Sequence, residues 1–143
     1  SFYDSTIMCL TIAQVDDNSG DCFLFERLCR QANEKWPELK LLVTCFQDER
    51  EFISSLKSAV EYDIVFLDQQ LHHSEGLMVL RTLRQELNCQ LPVVMYSNCD
   101  IHSYVESAHE LGATEVVTKY IDHNELKLLL GKINLRPDVS SLE

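Results

Sequence analysis

Residues 63–68 read Asp63-Ile64-Val65-Phe66-Leu67-Asp68. Four consecutive apolar residues, two of them β-branched, leave no polar face. A strand made of them is covered on both sides, as in the middle of a parallel sheet. The run ends on an acid, and a carboxylate closing a buried strand calls for a cation, a donor or a chemical use.

Working outward, other apolar runs alternate with amphipathic stretches. Residues 6–15 form a first strand, ending at Asp16-Asp17-Asn18, where Asn18 or Ser19 can cap the next helix. Phe25, Leu28, Cys29 and Ala32 recur at helical spacing until Trp36-Pro37 breaks the pattern. Residues 39–46 make a second strand. A helix starting near Asp48 carries Phe52, Ile53, Leu56, Ala59 and Val60 on one face. After residues 69–75, a loop, comes a helix from Gly76 to about Leu87. Residues 91–96 give a fourth strand, and Ile101, Tyr104, Val105 and Ala108 mark a helix that Gly112 closes. Residues 115–118 give a fifth strand, and Leu126, Leu129, Leu130 and Ile133 line a last helix. Five strands alternating with five helices imply an α/β, doubly wound parallel sheet, with ligands outside the carboxyl ends of its strands. Residues 6–134 form this domain, and residues 135–143 read as a linker or disordered tail.

The 143 residues suffice for one well-packed domain and not for two. No apolar run is long enough to cross a bilayer, and no basic-then-apolar signal peptide opens the chain. It begins on Ser1 rather than Met, so flanking domains are expected outside it. The net charge is −11, from 23 acidic and 12 basic residues, which disfavours direct contact with nucleic acid or anionic lipid. Six cysteines include no C-x-x-C pair, and Cys9 and Cys45 sit in apolar runs. Free thiols in a reducing, cytoplasmic setting are expected.

Chemistry concentrates at the strand ends. Strand one delivers Asp16 and Asp17, strand three Asp68, strand four Ser97 and strand five Lys119. Topology brings these ends to one sheet edge. Gathered carboxylates repel, and a hard divalent ion such as Mg2+ relieves the repulsion. Lys119 adds a positive charge and Ser97 a hydroxyl, so anionic oxygens of a transferred phosphoryl group would be neutralised from several sides. Asp68 is then the nucleophile, forming an acyl phosphate. Singly, each residue has an ordinary explanation: an Asp pair caps helices, a Lys after a strand is solvated, and Ser97 starts a turn. Their joint placement at four strand ends is what favours function.

With these motifs, and with Glu75-Gly76, residues 92–97 (Pro-Val-Val-Met-Tyr-Ser), Gly112-Ala113 and Thr118-Lys119 in matching order, residues 6–134 resemble the receiver domain of two-component response regulators. The resemblance implies a flavodoxin-like sheet of strand order 2-1-3-4-5. It implies Asp68 as phosphoacceptor, with a sensor histidine kinase or phosphotransfer protein as donor. Magnesium would be held by Asp16, Asp17, Asp68 and the backbone carbonyl of Gln70, with Asp16 acting largely through water. Ser97 and Lys119 would contact the phosphoryl group, and Lys119 would join Asp68 in the chemistry. The chain would be a switch rather than an enzyme, promoting only its own phosphorylation and dephosphorylation. A homodimer would form through helix 4, strand 5 and helix 5.

Five positions depart from the family pattern. Tyr120 replaces the Pro of a cis peptide, Leu71-His72 replaces Met-Pro, Asn98 replaces a small residue, and Val116 stands where a switching aromatic is common. Tyr120 and Asn98 leave open a pseudo-receiver that binds partners without phosphorylation. A cobalamin-binding domain matches only His73-Ser74-Glu75-Gly76, with Leu71 in place of its Asp. A metal-dependent phosphatase would need an acid where Gln70 stands. His72 and His73 read as exposed loop histidines, because a transition-metal site needs further ligands that sequence does not supply.

Overall fold

The computed structural model describes residues 8–133. Its strands are β1 (Met8–Val15), β2 (Leu39–Phe46), β3 (Ile64–Leu67), β4 (Val93–Ser97) and β5 (Glu115–Thr118). They form one sheet in the order β2-β1-β3-β4-β5, with every pairing parallel. Between and after them run α1 (Ser19–Lys35), α2 (Glu49–Ser55), α3 (Gly76–Arg81), α4 (Val105–Glu110) and α5 (His123–Ile133). The doubly wound α/β sheet of order 2-1-3-4-5 is therefore present. The linker or tail expected at 135–143 lies outside the described residues.

β3 occupies the middle strand, and all four of its residues are buried. Alternation along the strand divides them between two cores. Ile64 and Phe66 pack with Phe25, Leu28 and Ala32 of α1 and with Leu126, Leu129 and Leu130 of α5. Val65 and Leu67 pack with Phe52 of α2, Val79 and Leu80 of α3, and Ala108 of α4. Each large side chain so buried contributes about 1.5–3 kcal/mol.

The helix boundaries follow local chemistry. Asn18 caps α1 by accepting the Asp21 amide at 2.9 Å, and Asp48 caps α2 by accepting the Arg50 amide at 2.9 Å. α2 is shorter than its apolar pattern: it ends at Ser55, so Ala59 and Val60 are not on a helical face, and Val60 is exposed. Ser55 and Ser58 donate their hydroxyls to the carbonyls of Phe52 and Ser55, and the amides of Lys57 and Ser58 make tight three-residue turns. Such bonds compete with helix continuation. α3 is α-helical only to Arg81. Residues Thr82–Glu86 then widen into a π-helical turn, and Asn88, at φ 50°, ends it. α4 is preceded by a 3₁₀ turn at Ile101–Ser103 and closed, as expected, by Gly112 at φ 96°.

The expectation of six free thiols does not hold. Cys22 of α1 and Cys45 of β2 form a disulfide, with Cα atoms 6.1 Å apart. Packing of α1 against β2 brings the two together across 23 residues of sequence, which local composition around Cys45 does not reveal. Cys9, Cys29, Cys89 and Cys99 are free, and Cys9 is exposed.

Candidate functional site

The carboxyl ends of β1, β3, β4 and β5 align along one edge of the sheet. Val15 is in register with Leu67, Leu67 with Met95, and Ser97 with Thr118. The backbone stays paired just past the strands. The Asp68 amide donates to the Val15 carbonyl and the Lys119 amide to the Ser97 carbonyl, each at 3.0 Å. Asp16, Asp68, Ser97 and Lys119 are thus held at one edge by main-chain hydrogen bonds rather than by flexible loops.

There the three expected carboxylates converge. Asp16, Asp17 and Asp68 each place an oxygen within 4.8 Å of the others, with Asp16 and Asp68 buried and Asp17 exposed. Lys119, its side chain almost fully buried, donates from Nζ to Asp16 Oδ2 at 2.7 Å and to Asp68 Oδ2 at 2.9 Å. The other oxygens of these acids are held by the main chain. Asp16 Oδ1 accepts the Asn18 amide at 3.0 Å, and Asp68 Oδ1 accepts the Gln70 amide at 3.1 Å.

Nζ makes a third bond that the sequence reading missed, to Asp21 Oδ2 at 2.9 Å. Asp21 sits in the first turn of α1, and its Oδ1 accepts the Tyr120 hydroxyl at 2.9 Å. Its signal was present, since a helix that begins immediately after β1 starts at the same sheet edge. A first-turn acid, however, is also an ordinary response to the helix dipole.

The electrostatics follow from this crowding. Burial pushes the Asp16 carboxyl above its usual value, against the lowering effect of bonds from Lys119 and the Asn18 amide. Burial alone would draw the Lys119 ammonium down. Its bonds to Asp16, Asp21 and Asp68 prevail and hold it above its ordinary value, so it stays charged. Asp16, Asp21 and Asp68 share one ammonium, and Asp17 adds a fourth carboxylate beside Asp16 and Asp68, so negative charge exceeds what Lys119 alone can offset. The donors are all oxygen, the set that suits a hard divalent cation.

Two further expected residues, Ser97 and Gln70, lie at the same sheet edge. Ser97 is fully buried at the end of β4, where its Oγ accepts the Cys99 amide at 3.3 Å. Gln70 is exposed and pairs across a short bridge with Glu75. Gly76 opens α3 hard against the end of β3, and a Cβ there would collide with the Asp68 carbonyl oxygen and lie 2.9 Å from Met95 Cε. The Lys119–Tyr120 peptide is cis although Tyr120 is not Pro. The Tyr120 ring and Asn98 are both exposed, so neither is packed over Asp68 as part of the core.

A family model described as the response regulator receiver domain matches residues 12–130, from β1 through α5. The chain belongs to this family. Among curated proteins, this receiver domain is 26% identical over 117 residues to the autoinducer 2 sensor kinase/phosphatase LuxQ of Vibrio parahaemolyticus, covering 82% of this chain. It is 32% identical over 88 residues to the LuxQ of Vibrio cholerae, covering 62% of this chain. The receiver domain spans only 13% and 9% of those two relatives. Among solved structures, a two-component response regulator from Clostridium difficile superposes with a TM-score of 0.73 at 18% identity, over 90% of this chain and 98% of that one. The response regulator TrrA of Thermotoga maritima, crystallised with Mg(2+)-BeF, gives 0.67 at 21% identity, over 87% and 98%. At these identities the likeness is one of fold.

Proposed function

We propose that this receiver domain is a phosphorylation-activated switch in which Asp68 accepts a phosphoryl group. The observation that carries the reading is the buried Asp68 carboxylate, bonded by Lys119 Nζ at 2.9 Å beside two further carboxylates at a sheet edge. An Asp68 oxygen attacks phosphorus in the donor, the new O–P bond replaces the donor's P–N bond, and the leaving imidazole takes up a proton. The donor is a sensor histidine kinase or a phosphotransfer protein. Lys119 leaves one or more of its present carboxylate partners for a phosphoryl oxygen, and the Ser97 hydroxyl turns from the Cys99 amide to another. Asp16, Asp17, Asp68 and the Gln70 carbonyl would hold Mg2+, with Asp16 acting mainly through water. A bound magnesium ion supplies charge neutralisation for the carboxylates and the incoming phosphoryl oxygens.

The chain turns over no external substrate; its chemistry is its own phosphorylation and dephosphorylation. Its acidic surface favours neither nucleic acid nor membrane, and no helix among the described residues is long and apolar enough to span a bilayer. We place it in the cytoplasm, where its proposed phosphodonor acts. The face of α4, β5 and α5 is the surface for homodimerisation, and Leu128 on α5 stands exposed there.

Labelling with radioactive acetyl phosphate tests the reading. Label that is released by hydroxylamine, as an acyl phosphate is, and that fails to form in EDTA or in Asp17→Asn, is expected. Stable label, or labelling indifferent to EDTA, would contradict it.

A further inference from the structure

Glu49, at the start of α2, is only 3% exposed. Its Oε2 accepts the Ser74 hydroxyl at 2.8 Å, but its Oε1 is buried with no hydrogen-bond partner. A carboxylate oxygen removed from water without a donor carries a desolvation cost that a cation or a proton would relieve. Two further ligand groups lie beside Glu49. Asp48, Glu49 and His73 each offer an atom within 4.8 Å of the others, and His73 Nε2 lies 3.6 Å from Asp48 Oδ2. Bonds from the Arg50 side chain and amide hold the Asp48 carboxyl down at about 2, so it is an anion at neutral pH. Arg50 does not exhaust it, because a carboxylate has about four lone-pair directions.

This group shares no residue with Asp16, Asp17 and Asp68, and it includes a nitrogen donor. An imidazole with two carboxylates suits a borderline first-row dication rather than Mg2+. We propose that Asp48, Glu49 and His73 form a second cation site, for a transition-metal dication such as Zn2+, with water completing the shell. Ligand atoms around tetrahedral zinc stand roughly 3–3.5 Å apart, so the site tightens on binding. The side chain of His73, on an exposed loop and braced edge-on by the His72 ring at 4.7 Å, is the one free to make that movement. The ligands come from the start of α2 and from the loop after Asp68. The ion would therefore pin that loop to α2, whether or not Asp68 is phosphorylated.

Equilibrium dialysis against Zn2+, with saturating Mg2+ to fill the acidic pocket, tests the site. The full chain carries Cys9→Ser throughout to remove its exposed thiol. One Zn2+ per chain is expected, with affinity reduced at least about tenfold in His73→Ala and in Glu49→Gln and unchanged in Asp17→Asn. Circular dichroism checks that Glu49→Gln is folded; His73→Ala alters a loop side chain and keeps the test decisive if it is not. No zinc uptake would overturn the site. Equal uptake by His73→Ala, or loss that follows Asp17→Asn, would overturn it as well.

Discussion

Lys119 is the residue on which the pocket turns, because one ammonium answers Asp16, Asp21 and Asp68 together. On the proposed function, Asp21 would compete with an incoming phosphoryl group for that ammonium and add negative charge near Asp68. Asp21→Ala is expected to speed phosphorylation by acetyl phosphate about fivefold, the value of roughly one hydrogen bond; an unchanged or slower rate would remove Asp21 from the competition. Lys119 also ties stability to alkaline pH. Its bonds outweigh burial and raise it above 10.5, so their stabilisation is complete below pH 10.5 and is lost as pH climbs through the raised folded-state value. The urea midpoints of the parent and of Lys119→Met should differ at pH 8 and converge above pH 10.5. Asp16, Asp17, Asp68, Ser97 and Lys119 were legible because strand ends are legible: an apolar run stops and a polar residue follows. Asp21 and Glu49 were not, because their partners are chosen by the tertiary fold, Asp21 reaching 98 residues along the chain.

At the scale of elements, β3 and the start of α3 form one unit around Asp68. Gly76 is needed there because any Cβ would strike the Asp68 carbonyl. Gly76→Ala should destabilise the fold by about 1–3 kcal/mol in urea titration and also slow phosphorylation, since the relief must displace Asp68. Phe66, packed 4.8 Å from the ring of Phe25, bears on α1 rather than on the pocket. Phe66→Ala should cost about 3–5 kcal/mol of stability, measured by the same titration. Strand existence was readable from runs such as 64–67, whose continuity already announced two covered faces. Helix ends were less so. The apolar pattern near Val60 extended past the serine bonds that stop α2, and nothing in residues 82–86 announced a π-helical turn.

At the scale of the molecule, the parallel sheet and the convergence of four strand ends followed from the alternation of strands and helices, since parallel strands need crossovers and crossovers place like ends together; the strand order came only with the resemblance to receiver domains. The Cys22–Cys45 bond did not follow, because pairing across α1 and β2 is a property of packing. If the α4, β5 and α5 face is the output surface, beryllofluoride with Mg2+ should raise the sedimenting mass toward a dimer, and Leu128→Asp should prevent it. A monomer under both conditions would rule that face out as a homodimer surface. The central claim concerns Asp68 itself. It is tested most directly by intact-mass measurement after exposure to acetyl phosphate and Mg2+. A single added phosphoryl group, absent in Asp68→Asn, is the expected result. No added mass with any phosphodonor, or the same addition in Asp68→Asn, would contradict Asp68 as the acceptor.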